Sequence, residues 1–248
     1  MKKTLLAVLV ASAFAPAFAM AEQGDFVVRL RATHIQADED SSLGKKTNSV
    51  YGVAPNTVLN NGAELAVDSN TIPEIDFSYY VTKNIALELI LAVGTRHDVR
   101  ITKNGDVGQV VKGGHNLGSI NALPPTLTAQ WHFLPDQTFD PYVGAGINYT
   151  IFMDRKLDLD LGYMGVGQQK IRIERDSWGP ALQAGFDVNF KDGWLVNFDV
   201  KKLWMKTDVK MTLNPTAAGA TGLPVGYKKI DNLDVDPWVI SVGFGKKF

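Results

Sequence analysis

The last eleven residues of the chain, 238–248, have the sequence WVISVGFGKKF. Every second side chain is large and apolar apart from one lysine, and this series is Trp238, Ile240, Val242, Phe244, Lys246 and Phe248. The side chains between them are small or polar, apart from Val239. Side chains of a β-strand point alternately to its two faces, so this alternation predicts a strand with one face in an apolar medium.

The same segment has a second feature, which is the pattern Ser241-x-Gly243-x-x-Lys246-x-Phe248. A strand that ends on a terminal phenylalanine in this pattern resembles the assembly signal of bacterial outer-membrane barrels. We expect the outer-membrane assembly machinery to recognise its aromatic residues, which are Trp238, Phe244 and Phe248. Lys246 stands where a second aromatic is usual, and its stem can reach water at the periplasmic interface.

The amino terminus has the features of an export signal. Two lysines precede an apolar run over residues 5–18, and a small-x-small site ends at Ala21. This pattern predicts a signal peptide over residues 1–21 that is cleaved near Ala21, with cleavage after Ala19 as the alternative. The mature chain, residues 22–248, is then long enough for one large β domain.

Composition narrows the class of protein further. The formal net charge is −1, so no basic excess indicates nucleic acid as a partner. The absence of cysteine excludes a disulfide framework. No later stretch of about 20 residues is continuously apolar, so the sequence offers no membrane helix. An exported chain of this kind is either a periplasmic protein or an outer-membrane barrel.

Seven further segments alternate as the last one does. They are residues 26–33, 74–81, 85–94, 126–133, 143–151, 178–190 and 194–201. Eight strands of about ten residues, each with one apolar face, are typical of a transmembrane barrel. The sequence therefore predicts an all-β fold, an eight-stranded antiparallel transmembrane β-barrel with short periplasmic turns and long extracellular loops.

The links between these strands alternate in length. Short links lie at residues 83–84, 135–140 and 191–193, and long ones at 38–62, 103–122, 154–176 and 214–231. Aromatic side chains gather beside the short links, and they are Tyr79, Trp131, Phe133, Phe190 and Trp194. Such rings prefer a membrane interface, and the even strand count puts both termini on this periplasmic side.

The opposite, more polar face of the strands must line the barrel interior. An eight-stranded barrel is just wide enough for side chains to fill it. We expect the inward charged and amide groups to pair as a plug, and they are Arg29, Arg31, Glu74, Asp76, Glu88, Gln130, Asp187, Asp199 and Lys201. The alternative is that they bind substrate or line a conduction path.

Nearer the long loops the inward side chains become apolar. Ile90, Ala92, Phe152 and Leu203 are the candidates for this upper region. An apolar upper lumen above a polar plug predicts a pocket that receives apolar molecules from outside. Ordinary packing of the barrel interior is the alternative interpretation.

Five stretches of the mature chain resemble the OmpW family. They are TIPEIDFSYYVTKNIALEL (71–89), LPPTLTAQWHF (123–133), PYVGAGINYT (141–150), DSWGPALQAGFD (176–187) and DVDPWVISVGFGKKF (234–248). The resemblance implies an eight-stranded outer-membrane barrel that takes up small hydrophobic molecules. It also implies an apolar channel that opens laterally through the barrel wall, and some members are exploited as bacteriocin receptors.

Proline in the wall gives this lateral opening a physical basis. Pro124 and Pro125 lack the N–H that a strand ladder needs, and Pro73 interrupts another strand in the same way. We expect these three residues to leave a gap in the wall. The alternative is that they mark only strand ends or bulges.

One stretch departs from the family pattern. Lys201 and Lys202 stand where several relatives carry an apolar aromatic residue. Trp204 lies shortly after them and takes over that place if the register shifts. Trp204 therefore joins the upper-lumen residues as a candidate for the pocket or its gate.

Passive uptake of small hydrophobic solutes is the predicted function. The alternative is a non-transporting surface protein that acts in envelope integrity, adhesion or as a bacteriocin or phage receptor through its long loops. No pattern singles out a catalytic, cofactor or metal site, so we expect no enzyme activity. The expected location is the outer membrane of a Gram-negative bacterium, with its lipids and lipopolysaccharide as neighbours.

Overall fold

The computed structural model describes residues 22–92, 95–102, 115–160, 167–222 and 225–248. The predicted signal peptide, residues 1–21, lies outside the described residues, as do residues 93–94 of one predicted strand and parts of three predicted long links. Within the described part, strands predominate, and no helix is both long and apolar enough to cross a membrane.

The elements follow one another along the chain. They are β1 (Phe26–Gln36), β2 (Glu39–Asp40), α1 (Leu43–Val50), β3 (Glu64–Val67), β4 (Asn70–Tyr80), β5 (Ile85–Ala92), β6 (Thr95–Thr102), β7 (His115–Leu123), β8 (Thr126–His132), β9 (Phe139–Asp154), β10 (Lys156–Asp160), β11 (Gln168–Ile173), β12 (Asp176–Asn189), a 3-10 turn (Lys191–Gly193), β13 (Trp194–Leu203), β14 (Lys206–Thr212), α2 (Pro215–Thr221), β15 (Lys228–Val235) and β16 (Trp238–Lys247).

Eight of these strands form a closed antiparallel ring. The order around it is β1, β4, β5, β8, β9, β12, β13 and β16, and β16 pairs again with β1. The closing ladder runs from Val27 opposite Lys247 to Gln36 opposite Trp238. Closure leaves no sheet edge in the membrane, which is the condition for strands to span lipid. The prediction of an eight-stranded antiparallel barrel is confirmed.

The two faces of the wall differ as the alternation predicts. On β1, Leu30 is 47% exposed, whereas its neighbours Arg29 and Arg31 are buried. A belt of exposed apolar side chains surrounds the barrel, and it includes Leu87, Leu89, Leu127, Val143, Ile147, Leu182, Val196, Ile240 and Val242. A continuous apolar belt of this size is unusual on a protein surrounded by water and is the expected surface in lipid.

One end of the barrel has the short links. The third of them is the 3-10 turn, in which Asp192 adopts a left-handed backbone conformation with φ of 60°. Exposed rings lie around this end, including Phe26, Tyr79, Trp131, Phe139 and Trp194. Their position matches the aromatic girdle expected at the periplasmic interface.

The other end has a folded extension, which we name the cap. Strands β3, β6 and β7 continue the wall beside β9, and β10, β11, β14, β15 and β2 form a second sheet. The cap has its own apolar core, which includes Leu43, Leu59, Leu65, Ile101, Leu157, Ile171, Met211 and Leu233. The described parts of the segments expected as long loops are therefore folded, because their short alternating runs bury side chains against one another.

The pairing of β8 with β9 depends on one glycine. Gly146 lies opposite Thr128, and a Cβ at this position would overlap the Leu127 carbonyl oxygen. Strands β8 and β9 can lie this close together only because residue 146 has no side chain.

We therefore expect Gly146→Ala to lower the free energy of unfolding by roughly 1–3 kcal/mol, as overpacking does elsewhere. The measurement is urea unfolding in lipid vesicles, together with the heat-modifiable mobility of the barrel on SDS gels. Gly219→Ala in α2 is the control, because a Cβ there meets nothing within 4 Å. Equal unfolding midpoints for the two variants would contradict this role of Gly146.

Candidate functional site

The lower lumen is filled by a network of charged side chains that begins on β1. Arg29 donates from Nη2 to Asp187 Oδ2 at 2.6 Å and from Nη1 to Ser78 Oγ at 2.6 Å. Its Nη1 also lies 3.4 Å from Glu88 Oε1. Arg29 thus ties β1 to the neighbouring strand β4 and to β5 and β12, which lie farther around the ring.

Arg31 occupies the next inward position of β1. Its guanidinium lies 3.2 Å from Glu74 Oε1, 2.8 Å from Asp76 Oδ1 and 3.1 Å from Glu88 Oε1. Its Nε donates to Asn197 Oδ1 at 2.7 Å. All these side chains are buried, so the five donors of the guanidinium face fixed acceptors rather than water.

Lys201 extends the network upwards. Its Nζ donates to Asp199 Oδ1 at 2.6 Å and to Glu74 Oε1 at 3.1 Å. Gln183 links Asp199 and Glu88, because its Nε2 donates to a carboxylate oxygen of each at 2.7 Å. Gln130 adds a second amide bond to Glu88, at 2.8 Å.

We name this network the plug. The structure brings together all nine side chains for which the sequence predicted this position, and each is almost fully buried. Four members were missed, and they are Ser78, Tyr142, Gln183 and Asn197. Three of them lie on the predicted inward face and carry no charge, whereas Tyr142 lies one residue before the start of the predicted fifth strand.

The plug is closed towards the periplasm by a second polar group. His132 Nδ1 lies 2.7 Å from Asp140 Oδ2, and the Tyr80 hydroxyl is within 3.3 Å of the same ring. A small apolar cluster that includes Val27 and Leu195 packs at the same end. The lower half of the lumen is thus occupied by side chains and offers no wide aqueous channel, as the narrow eight-stranded geometry requires.

An apolar cavity lies above the plug. It spans about 750 Å³ of space between atoms, a figure that includes the part open to solvent. Four of the five upper-lumen candidates line it, and they are Ile90, Ala92, Phe152 and Leu203. Glu74 and Lys201 of the plug form its charged floor.

Trp204 does not line this cavity. Leu203 points inwards, so the next side chain belongs to the outer face, and the backbone N–H of Trp204 bonds to the Pro180 carbonyl. Met205 lines the cavity instead. The register shift considered for Trp204 is absent from the paired part of β13, whose ladder with β12 runs unbroken to Leu203.

Further lining residues come from the cap and were not singled out from the sequence. They include Val67, Thr95, His97, Ile120 and Val235. Burial lowers the pKa of His97, which lies on β6 above the membrane-spanning strands, below its ordinary value. His97 Nδ1 lies 2.7 Å from the Asp68 carbonyl oxygen, which can only accept, so Nδ1 carries the proton and Nε2 is the ring's acceptor.

Among the described residues beside the cavity, strand pairing stops at the two consecutive prolines on the side that faces β5 and β6, whereas on the other side the Tyr149 N–H of β9 donates to the Pro125 carbonyl at 3.0 Å. The ladder between β5 and β8 ends with Ile90 opposite Thr126, and pairing of β6 with β7 resumes with Thr95 opposite Ala122. Pro124 and Pro125 lie between these two ladders, and Pro124 lines the cavity.

Pro73 lies on β4 at the same height. It is opposite Ala32 in the continuous β1–β4 ladder, and it directly precedes Glu74, where the described β4–β5 ladder begins opposite Ala92. The three prolines therefore lie around one region of the wall.

The predicted assembly residues of β16 lie on the outer face. Trp238, Phe244 and Phe248 are all exposed, and recognition by the assembly machinery stays a prediction. Lys246 Nζ lies 4.9 Å from the centre of the Trp194 ring and donates to the Asp192 carbonyl at 2.7 Å. In the part of the chain that the structure describes, no group of three His, Cys, Asp or Glu side chains is placed to hold a metal ion.

Comparisons with known proteins agree with this architecture. Outer membrane protein W of Vibrio cholerae serotype O1 is 34% identical over 251 residues that cover 100% of both chains. The crystal structure of OprG from Pseudomonas aeruginosa matches with a TM-score of 0.68 and 30% identity, over 92% of this chain and 97% of that one. The solid-state NMR structure of AlkL in DMPC lipid bilayers matches with a TM-score of 0.58 and 25% identity, over 93% and 92%.

A closed eight-stranded barrel with an apolar outer belt defines the class of outer-membrane β-barrel proteins, and this chain lies in the outer membrane of a Gram-negative bacterium. Its outer face contacts the lipids of that membrane. The OmpW family profile matches residues 22–248, so the chain belongs to the OmpW family. The resemblance found in the sequence is confirmed.

Arg31 offers the most direct test of the plug. We expect Arg31→Met to lower the free energy of unfolding by about 3–5 kcal/mol, because it leaves buried carboxylates without their cation. Urea unfolding in lipid vesicles, followed by tryptophan fluorescence, measures this loss.

Lys206→Met is the matched control for Arg31→Met. Lys206 Nζ lies 3.1 Å from Asp234 in an ion pair exposed to solvent, so its loss should cost less than about 1 kcal/mol. Similar losses in the two variants would show that the plug contributes no more than a surface ion pair.

Proposed function

We propose that this protein takes up small hydrophobic molecules from the cell exterior and releases them sideways through the barrel wall into the membrane. The observation that carries the proposal is the contact between an apolar cavity and a break in the wall ladder, directly above a filled lower lumen. Membership of the OmpW family supports the same function.

The cavity favours apolar solutes because its walls remove them from water. Phe152, Leu203 and Val239 are buried around it, and each contributes apolar surface. Burial of apolar surface is worth about 25 cal/mol per Å², so a small hydrocarbon gains several kcal/mol on leaving water. The cap supplies the upper walls and leaves the cavity partly open.

The plug excludes the straight path to the periplasm. A solute that moved down the barrel axis would have to separate Arg31 from Glu74, Asp76 and Glu88. Leaving one of these buried charges unpaired costs several kcal/mol, with no compensating bond from an apolar solute.

The region of Pro124 and Pro125 supports a sideways exit. Proline has no N–H to donate to a strand ladder. Fewer backbone hydrogen bonds must therefore break when a solute passes between the strands in this part of the wall. An apolar solute that passes here moves from the apolar cavity to the lipid without crossing water. This route accounts for transport by a barrel whose lumen is filled.

Filling the cavity tests the uptake itself. We expect Ala92→Trp to reduce uptake of an apolar fluorescent reporter into proteoliposomes by at least about fivefold, because the added ring occupies the cavity. Ala145→Trp is the control, because Ala145 faces lipid on β9 and the added ring stays outside. Uptake by the unchanged protein no faster than by empty vesicles would overturn the proposed function.

Restoring backbone donors tests the sideways exit separately. We expect the double change Pro124→Ala and Pro125→Ala to slow uptake several-fold while the reporter still binds in the cavity, because new N–H groups can extend the ladder. Binding is measured by quenching of the reporter, and uptake is measured in the same vesicles. Unchanged uptake, with hydrogen exchange showing protected new amides, would rule out exit at this place.

A further inference from the structure

The cavity has apolar walls but a polar, charged floor. Glu74 and Lys201 both line it, and Lys201 Nζ donates to Glu74 Oε1 at 3.1 Å. Arg31 also donates to Oε1 of Glu74, at 3.2 Å. Within the described residues both of these bonds use the same carboxylate oxygen, which leaves Oε2 to accept from a molecule in the cavity.

A second polar atom of the cavity has no partner. Thr95 is 2% exposed, and its Oγ1 makes no hydrogen bond to any described residue. Thr95 lines the cavity at the first residue of β6, beside the interrupted ladder. A buried hydroxyl without a partner is costly, and a ligand that carries one hydrogen-bonding group would satisfy it.

The charge beneath the floor is unbalanced. The plug contains five carboxylates, which are Glu74, Asp76, Glu88, Asp187 and Asp199, against the three cations Arg29, Arg31 and Lys201. Even with one of these carboxyl groups protonated, the formal excess is one negative charge in a region that water and salt do not reach. The carboxylate of a ligand in the cavity would lie close to this excess negative charge and would be repelled by it.

The remaining polar groups of the cavity do not offset that excess. Thr126 and Thr150 are uncharged, and Thr150 Oγ1 already donates to Asn148 Oδ1 at 2.7 Å. His97 is held neutral at neutral pH because burial lowers its pKa. Lys201 is the cation of the floor, and its ammonium is engaged by Asp199 and Glu74.

We propose that the cavity selects uncharged amphiphiles, which are small molecules with an apolar body and one hydroxyl-type head group, over carboxylates of the same chain length. The apolar body lies against the walls, and the head group bonds to Glu74 Oε2 or to Thr95 Oγ1. This inference rests on the proposed function and narrows its substrate class.

The experiment compares 1-octanol, octanoate and octane as ligands that share one chain length. Each displaces the probe N-phenyl-1-naphthylamine from the protein in phosphatidylcholine nanodiscs at pH 8, and empty nanodiscs correct for partition into lipid. We expect 1-octanol to bind at least about tenfold more tightly than octanoate, as repulsion by the buried excess charge implies. We also expect 1-octanol to bind more tightly than octane.

Two substitutions locate the effect, and each has a matched control. Glu74→Gln keeps an acceptor and removes one negative charge, so the preference for 1-octanol over octanoate should shrink about threefold or more. Thr95→Val keeps the shape and removes the hydroxyl, so the preference for 1-octanol over octane should fall. Asp158→Asn and Thr71→Val make the same chemical changes at exposed positions and should alter neither preference.

The outcomes separate this inference from the proposed function. Binding of all three ligands with equal affinity overturns the inference and leaves uptake of hydrophobic molecules intact. Displacement by none of them contradicts the proposed function itself. Preferences that survive both Glu74→Gln and Thr95→Val overturn the assignment of the polar contacts. Thr95→Val preserves packing, so it remains informative even where Glu74→Gln fails to fold.

Discussion

The pairing of Arg29 and Arg31 with buried carboxylates is the interaction on which the rest of the lumen depends. Both side chains project inwards from β1 and reach β4, β5, β12 and β13, so they connect strands that are not neighbours in the ring. In the low dielectric of a narrow barrel these charges are stable only together. Their network fills the lower lumen, and the apolar cavity lies above it.

The membrane imposes a second constraint, which is complete backbone pairing around the ring. Barrels satisfy it by closure, and this wall is closed through the β1–β16 and β9–β12 ladders. The region of Pro124 and Pro125 departs from the rule at the height of the cavity. A break in pairing is costly in lipid, and among the described residues this one adjoins the apolar cavity.

Much of this arrangement could be predicted from alternation alone. The eight strands and the inward position of the plug residues follow from a period of two, since burial is decided by which face a side chain occupies. The cap was expected only as long loops, because its strands are short and their apolar partners lie far away in sequence. Leu157, Ile171 and Met211, for example, come from three different strands of one cap sheet.

The candidate cavity was predictable in part for the same reason. Ile90 and Leu203 lie on the inward face of regular strands, and the sequence predicted both of them as residues of the upper lumen. His97 and Thr95 lie in the cap extension, where no signal marked them as cavity residues. Trp204 was included because a register shift would bring it to the position where relatives carry an apolar aromatic residue, but strand parity directs it outwards once the ladder reaches Leu203 without a shift.

By itself, the sequence determined which residues form the eight strands of the barrel and which face of each strand meets lipid, because in these strands the pattern is local and repeats every second residue. Only the tertiary structure decided how the inward charges pair, how the cap strands enclose the cavity and where the wall ladder stops. Arg29 and Asp187 lie 158 residues apart and still form one ion pair. Such contacts depend on the closure of the ring, which no local pattern in the chain contains.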